Sequence, residues 1–439
     1  EARRRQGAQA LTRGFLAAAA GEGAEARRLA TRAAEFADES PQLVRLLAAQ
    51  AAEADGDRAG ARSAYAAMLG FPEMKLAAHR GQMTSALADG DRAGALEAAR
   101  AAYGLAHTAP WAWRALFEEA LGRADWAGAL ALAAEGLDRK VISPLVAGRA
   151  RAALQTAQAA GPSSPRAPGH AGEARLIADA AEEACAAAKA RPDFTPAATL
   201  AARLLGLQGR SARAAPILEA AWRARPHPAL WLAFRDLKTD ETPADRARRL
   251  GEFAAAAPAS REGRILALEK ALIAADTAAV QAALPALAEE PTSARLAGVR
   301  ARAAVFVGDL DEARAWIARA EGAGAEPEWS DIDEAGRAFA FSPADWARVI
   351  SVYAEKGELA HPRFERGEKE LSVLPRLPAA YADASPAFVA AAAAGDLYPP
   401  VLDDSDFSED LQPAPAGGPA PAAPRGGFFR GLGGRSKGR

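Results

Sequence analysis

Five histidines, one cysteine and several paired carboxylates are the groups in this sequence with usable chemistry. The histidines, His79, His107, His170, His227 and His361, are scattered. None has a second His, Cys or acid at ligand spacing on an evident common face, so no metal site is expected. His170 falls in a Pro/Gly-rich run, and His227 sits in a turn between Pro226 and Pro228; each is read as a structural or surface side chain. Cys185 is expected to be a buried, inert thiol where a helix packs, and a lone cysteine excludes both a disulfide framework and a thiolate cluster. Glu118-Glu119 and Glu182-Glu183 are adjacent on helices, so the members of each pair point in different directions. There is no GxxxxGK[ST] phosphate loop and no dinucleotide fingerprint after a strand. No catalytic constellation emerges, no cofactor is required, and the chain reads as a non-enzyme.

What must position any site is set by composition. Of 439 residues, 50% are hydrophobic, yet 124 are alanine and only 6% are aromatic. Alanine buries little area per residue, which excludes the large cores of sheet enzymes; it favours helices whose axes approach closely. The formal charge of −2 excludes a surface built throughout for nucleic acid. No apolar run reaches the roughly 18 residues that a membrane span needs. The chain opens with Glu1-Ala2-Arg3-Arg4-Arg5 rather than Met, which suggests a piece of something longer. Its arginines suit either a solvated helix start or the basic flank that follows a span on the cytoplasmic side.

The helices repeat. Breakers fall at Gly21-Glu22, Gly56-Asp57, Gly90-Asp91 and Ala124-Asp125, in steps of 35, 34 and 34 residues. Small residues keep phase after them (Ala61, Ala95, Ala129), and Pro192, Pro226, Pro258 and Pro291 continue the beat, with Ala180, Ala214, Arg246 and Ala279 each twelve residues earlier. A last turn at Gly308-Asp309 opens a helix containing Ala313. This spacing resembles the tetratricopeptide (TPR) pattern of helix, tight turn, helix. It implies an all-α fold: helix-turn-helix repeats, about eight or nine of them between residues 6 and 325, stacked as a right-handed superhelical solenoid with a concave groove. With Ala129 as the small residue of its second helix, the TPR register buries Trp113 and Phe117. It turns Trp111, Arg114, Glu118 and Leu121 toward the groove, with Arg80 and Thr84 in the preceding repeat and Arg203 in a later one. Arginines there suit the carboxylates of an acidic peptide or partner helix, and a tryptophan adds contact area.

Two irregularities divide the array. Residues 158–172, QAAGPSSPRAPGHAG, cannot be helical and read as a loop inserted between the two helices of one repeat, separating repeats in 1–157 from those in 173–325. From 326 to 382, Trp329, Phe339, Phe341 and Trp346 replace the alanine background. Ser342-Pro343 looks like a helix start, and the segment is expected to cap the last repeat. Residues 383–439 lose the period: an acidic cluster at Asp403, Asp404, Asp406, Glu409 and Asp410 precedes a Pro-Ala-Gly run and a basic end carrying Phe428-Phe429. That composition predicts a disordered tail, either merely solubilising or able to touch anionic lipid or a partner.

Several stretches resemble the HemY family of haem-biosynthesis-associated TPR proteins: LTRGFLAAAAGE near the start, HRGQMTSALADGDRAGALEAA from His79 to Ala99, RPDFTPAA from Arg191 to Ala198, and above all WRARPHP from Trp222 to Pro228. The resemblance covers most of 6–325. It implies a membrane-anchored adaptor with two transmembrane helices ahead of the TPR domain, which would make Arg3 to Arg5 juxtamembrane, at the bacterial inner (cytoplasmic) membrane with the repeats on the cytoplasmic side. Some HemY-like chains end in a cysteine-rich, zinc-ribbon-like region; none of those cysteines is present here, so no metal carries over. The resemblance thus points to a non-enzymatic scaffold whose partners are late tetrapyrrole-biosynthesis enzymes, without nucleic acid. Two other readings remain: a direct tetrapyrrole carrier using Trp111, Arg114 and His107, and an envelope-assembly adaptor unrelated to haem.

Overall fold

The computed structural model describes residues 2–35, 41–161, 171–238, 240–372 and 374–375. Among them the fold is all-α, with 21 α-helices and no strand. The array runs through α1 (Ala2–Ala19), α2 (Gly23–Ala34), α3 (Pro41–Ala54), α4 (Arg58–Met68), α5 (Lys75–Ala88), α6 (Arg92–Leu105), α7 (Pro110–Gly122), α8 (Trp126–Asp138) and α9 (Pro144–Ala160). It continues with α10 (Ala171–Ala190), α11 (Thr195–Leu207), α12 (Ser211–Ala224), α13 (Pro228–Arg235), α14 (Pro243–Ala254), α15 (Arg261–Ile273), α16 (Thr277–Ala283), α17 (Ala294–Val307) and α18 (Leu310–Glu321). Successive helices pair and each pair packs on the next, making a helical-repeat solenoid. No helix among the described residues is long and apolar enough to cross a membrane.

The Gly-Asp beat has a physical reading in the turns. Gly56 and Gly90 take φ of +74° and +77°, the left-handed conformation that ends a first helix, and Ala124 occupies the same place at +55°. The aspartate that follows opens the second helix: Asp57, Asp91 and Asp125 each accept the amide proton three residues on, from Gly60, Gly94 and Gly128, at 2.9 Å. The phased small residues Ala61, Ala95, Ala129, Ala180, Ala214 and Ala313 are all buried where helices cross. Arg246 breaks the rule. It is buried at the same phase, beside Glu241, so the stack at α14 holds an ion pair where other repeats hold a methyl group.

The break between α9 and α10, the two helices of one pair, is shorter than the expected 158–172: α9 carries on through Ala160 and α10 begins at Ala171, because the alanines at either edge continue the helices. Residues 162–170, His170 included, lie outside the described residues, as does everything from 376 on, including the acidic cluster and the basic end. The segment expected to cap the last repeat begins on it, at Arg295 of α17, and then runs on past it. It forms α19 (Pro327–Ser330), α20 (Pro343–Lys356) and α21 (Pro362–Glu365) and doubles back along the first helices of earlier pairs. There α19 touches α13, and α20 lies on α9 and α7. The reason is apolar area. Trp346, Val349, Ile350 and Tyr353, spaced three, four and seven residues apart, form one buried stripe. That stripe belongs to the same cluster as Trp113, Phe117, Leu121 and Phe194, whereas α18 buries only Ala313.

Two glycines test this packing. A Cβ on Gly81 would lie 2.2 Å from the Tyr65 ring, whereas one on Gly148, in the body of α9, would meet nothing within 4 Å. Gly81→Ala should therefore cost about 1–3 kcal/mol through overpacking. Gly148→Ala should stabilise by about 0.5–1 kcal/mol through helix propensity. Urea denaturation checks both, and equal shifts would contradict the packing described.

Candidate functional site

The predicted groove residues separate into those the chain satisfies itself and those it leaves open. Trp113 and Phe117 are buried as the register requires, their rings stacked 4.9 Å apart, and the Trp113 indole donates to the Leu132 carbonyl at 2.8 Å. Leu121, placed in the groove by sequence, is instead buried at 3% exposure in the cluster that includes the α20 stripe. Trp111 is half-buried against that cluster. Arg114 pairs with Glu355 of α20 at 2.6 Å. Arg203 lies close enough to Arg337 of the returning segment that, beyond the effect of burial, the second guanidinium also lowers its pKa. Arg80, Glu118 and Arg203 remain exposed without an ion pair among the described residues. Much of the anticipated binding surface is thus covered by residues 326–375 of the same chain, a strap across the face made by the first helices.

The strap is pinned at several points. Tyr353 packs on Phe194 with ring centroids 4.4 Å apart; its hydroxyl donates to Asp193 at 2.8 Å and accepts from Arg191 at 3.3 Å. Burial and the Asp193 carboxylate push its phenol well above the ordinary tyrosine range. The Gly357 carbonyl accepts from Arg225 at 2.9 Å. At the strap's start, Glu326 pairs with Arg261 at 2.6 Å and Arg295 at 3.1 Å, and Arg295 lies over the Trp329 ring. Burial opposes ionisation of Glu326, yet these arginines and Ser293 hold it down to about 2. Glu370 accepts the Glu326 amide proton at 2.6 Å, and burial, helped by the Glu326 charge, pushes it up to about 7.

A third anchor was not legible in sequence. His227, Asp331 and His361, which are 104 and 30 residues apart along the chain, meet with ligand atoms within 4.8 Å of one another. Asp331 Oδ2 lies 3.2 Å from His227 Nε2 and 2.7 Å from His361 Nδ1. The expectation that no histidine has a second histidine or acid nearby therefore fails at this point: spacing along one helix cannot reveal partners brought together by a returning strap. A metal nonetheless fits this donor set poorly. His227 Nδ1 accepts the Ala229 amide proton at 3.1 Å, which leaves the ring proton on Nε2, facing Asp331. Binding a cation there would move that proton to Nδ1 and orphan the amide. The cluster is a hydrogen-bond latch. It and Arg225 show what the WRARPHP run does here: Trp222 fills the core, while Arg225 and His227 receive the strap.

The remaining candidates are structural. Cys185 is buried, and burial pushes its thiol up. His107 is held by Glu135 at 3.0 Å and by the edge of Tyr103, while Arg114 is held by Glu355, so these two proposed tetrapyrrole ligands have separate partners.

A family model described as HemY protein N-terminus matches residues 1–56, from the start of α1 to the turn after α3. These first 56 residues are HemY-like. The HemY-like match accounts for the front of the solenoid, ending at Gly56, where the first left-handed Gly-Asp turn begins. No curated protein matches the chain.

His361 and Glu370 titrate in the same direction. Burial opposes it, but the Asp331 carboxylate raises His361 above its usual value, so its contribution is complete below about pH 6.5 and fades as pH rises through the folded value. Glu370, raised to about 7, likewise favours the folded state in acid and loses that contribution as pH rises through about 7. The urea midpoint should fall between pH 6 and 8.5, and Glu370→Gln should flatten the decline; a midpoint that rises with pH would contradict the assignment. Tyr353→Ala should cost about 3–5 kcal/mol as a buried aromatic, and Arg114→Ala no more than about 1 kcal/mol as an exposed ion pair. Denaturant titration of the two variants checks that order.

Proposed function

We propose that this chain is a TPR scaffold of late haem biosynthesis at the cytoplasmic membrane, gathering tetrapyrrole enzymes by protein contacts without chemistry of its own. The observation that carries this reading is the HemY N-terminal match on the first helices of a helical-repeat solenoid. An array of paired helices offers extended surface, and holding successive enzymes together raises the local concentration of a poorly soluble intermediate. Among the described residues, the first-helix face not covered by the strap lies at α3 and α5, ahead of α7, the strap's last seat. This is the end of the array nearest residues 1–56, where the resemblance would put a membrane anchor. The carrier reading is weaker, because His107 and Arg114 are already engaged by Glu135 and Glu355.

Two measurements test the proposal. Titration of protohaem and protoporphyrin into the chain should give no saturable absorbance change, and the chain should co-purify with tetrapyrrole enzymes from cells whose porphyrin levels shift when its gene is deleted. Saturable binding lost in His107→Ala would favour the carrier instead. Unchanged porphyrin levels with no enzyme retained would favour a general envelope adaptor.

A further inference from the structure

We infer that α5 carries an unfilled seat, one repeat before the seat that α20 fills, for an amphipathic helix of a partner protein with a carboxylate at its edge. The inference rests on the scaffold reading and narrows it to a position and a kind of ligand. The argument is the period. Arg114 and Leu121 stand seven residues, about two turns, apart on α7. Arg80 and Leu87 stand at the same places on α5, 34 residues earlier.

On α7 the arginine is engaged by a helix of the chain itself, Arg114 pairing with Glu355 at 2.6 Å, while Leu121 is buried in a cluster that also contains Trp346, Val349, Ile350 and Tyr353. On α5 neither is satisfied. Arg80 is exposed with no ion pair among the described residues, and Leu87 is 54% exposed. Two repeats before Trp111, Leu43 on α3 is exposed as well, at 46%. A single exposed leucine signifies little. The recurrence of an Arg-Leu pair that elsewhere receives a helix is the distinguishing fact.

The occupied seat also specifies the occupant. α20 presents an apolar stripe from Trp346 to Tyr353 with Glu355 beyond it, so a helix beside α20 on α5 needs the same two features. A second copy of this chain cannot supply α20 itself, because that stripe is already buried in its own array.

The probe is a labelled peptide of residues 343–356, titrated into the full chain and followed by fluorescence anisotropy. Saturable binding is expected. Arg80→Glu should weaken it by roughly five- to tenfold, since an attraction becomes a repulsion, and Leu87→Ala by about threefold. A peptide carrying Glu355→Lys should recover binding to the Arg80→Glu chain. Both variants change exposed side chains, so an unchanged circular dichroism spectrum serves as the folding control.

The seat is overturned by an absence of saturable binding, or by affinity unchanged in both variants. It is equally overturned by a loss that follows Arg114→Glu instead, which would mean that the peptide displaces the chain's own α20. Self-association that disappears in Arg80→Glu would assign the surface to a second copy and also overturn it. Enzymes still retained by the Arg80→Glu, Leu87→Ala chain would defeat the seat while leaving the scaffold reading intact, so the two fail separately.

Discussion

Close approach of helices at alanine is the constraint on which this architecture rests. A methyl group at each crossing lets two axes come near, but contributes little buried area, so each pair is held weakly by its own interior. At the front of the array the cores are small and local: one cluster joins Ala26, Ala30 and Leu47, and another joins Ala61, Tyr65 and Met68. Large side chains gather in the middle, where Trp113, Phe117, Phe194, Trp222 and Trp231 form one continuous cluster with Trp346 and Tyr353. The strap supplies the middle repeats with aromatic area that their own alanines lack.

Polar groups in this middle region act as fasteners. Arg191, Arg225 and His227 come from the repeats; Tyr353, the Gly357 carbonyl and Asp331 come from the strap. Because each fastener spans more than a hundred residues of sequence, it ties elements that a simple stack would leave independent. Among the described residues, the strap makes no comparable tie to α3 or α5. Among those residues it thus covers the first-helix face from α7 on and leaves α3 and α5 uncovered.

The repeat was legible because its signals are local. Left-handed glycines, aspartate caps and small residues at crossings act within a few residues of themselves, and they appear at the positions the period gives. Trp113 and Phe117 were legible for the same reason. Leu121 was not: it is buried in a cluster that gathers residues from the repeats and from the strap, and nothing near it in sequence announces that company. The same holds for His227, whose partners sit at 331 and 361. The start of α20 was visible in Ser342-Pro343, where a full capping box forms, but its destination was not, since an amphipathic stripe specifies that a helix must pack and leaves open against what.

The returning strap also orders events during synthesis. The α7 and α9 face is complete once residue 160 has emerged, but its cover arrives only with residues 343–356. At translation rates of about 5–20 residues per second, the interval is roughly 10–40 s. Throughout that time the part of α7 and α9 that α20 later covers stays open to whatever else the nascent chain meets. The middle of the array is thus the last part of this solenoid to close, although its helices are far from the last to be made.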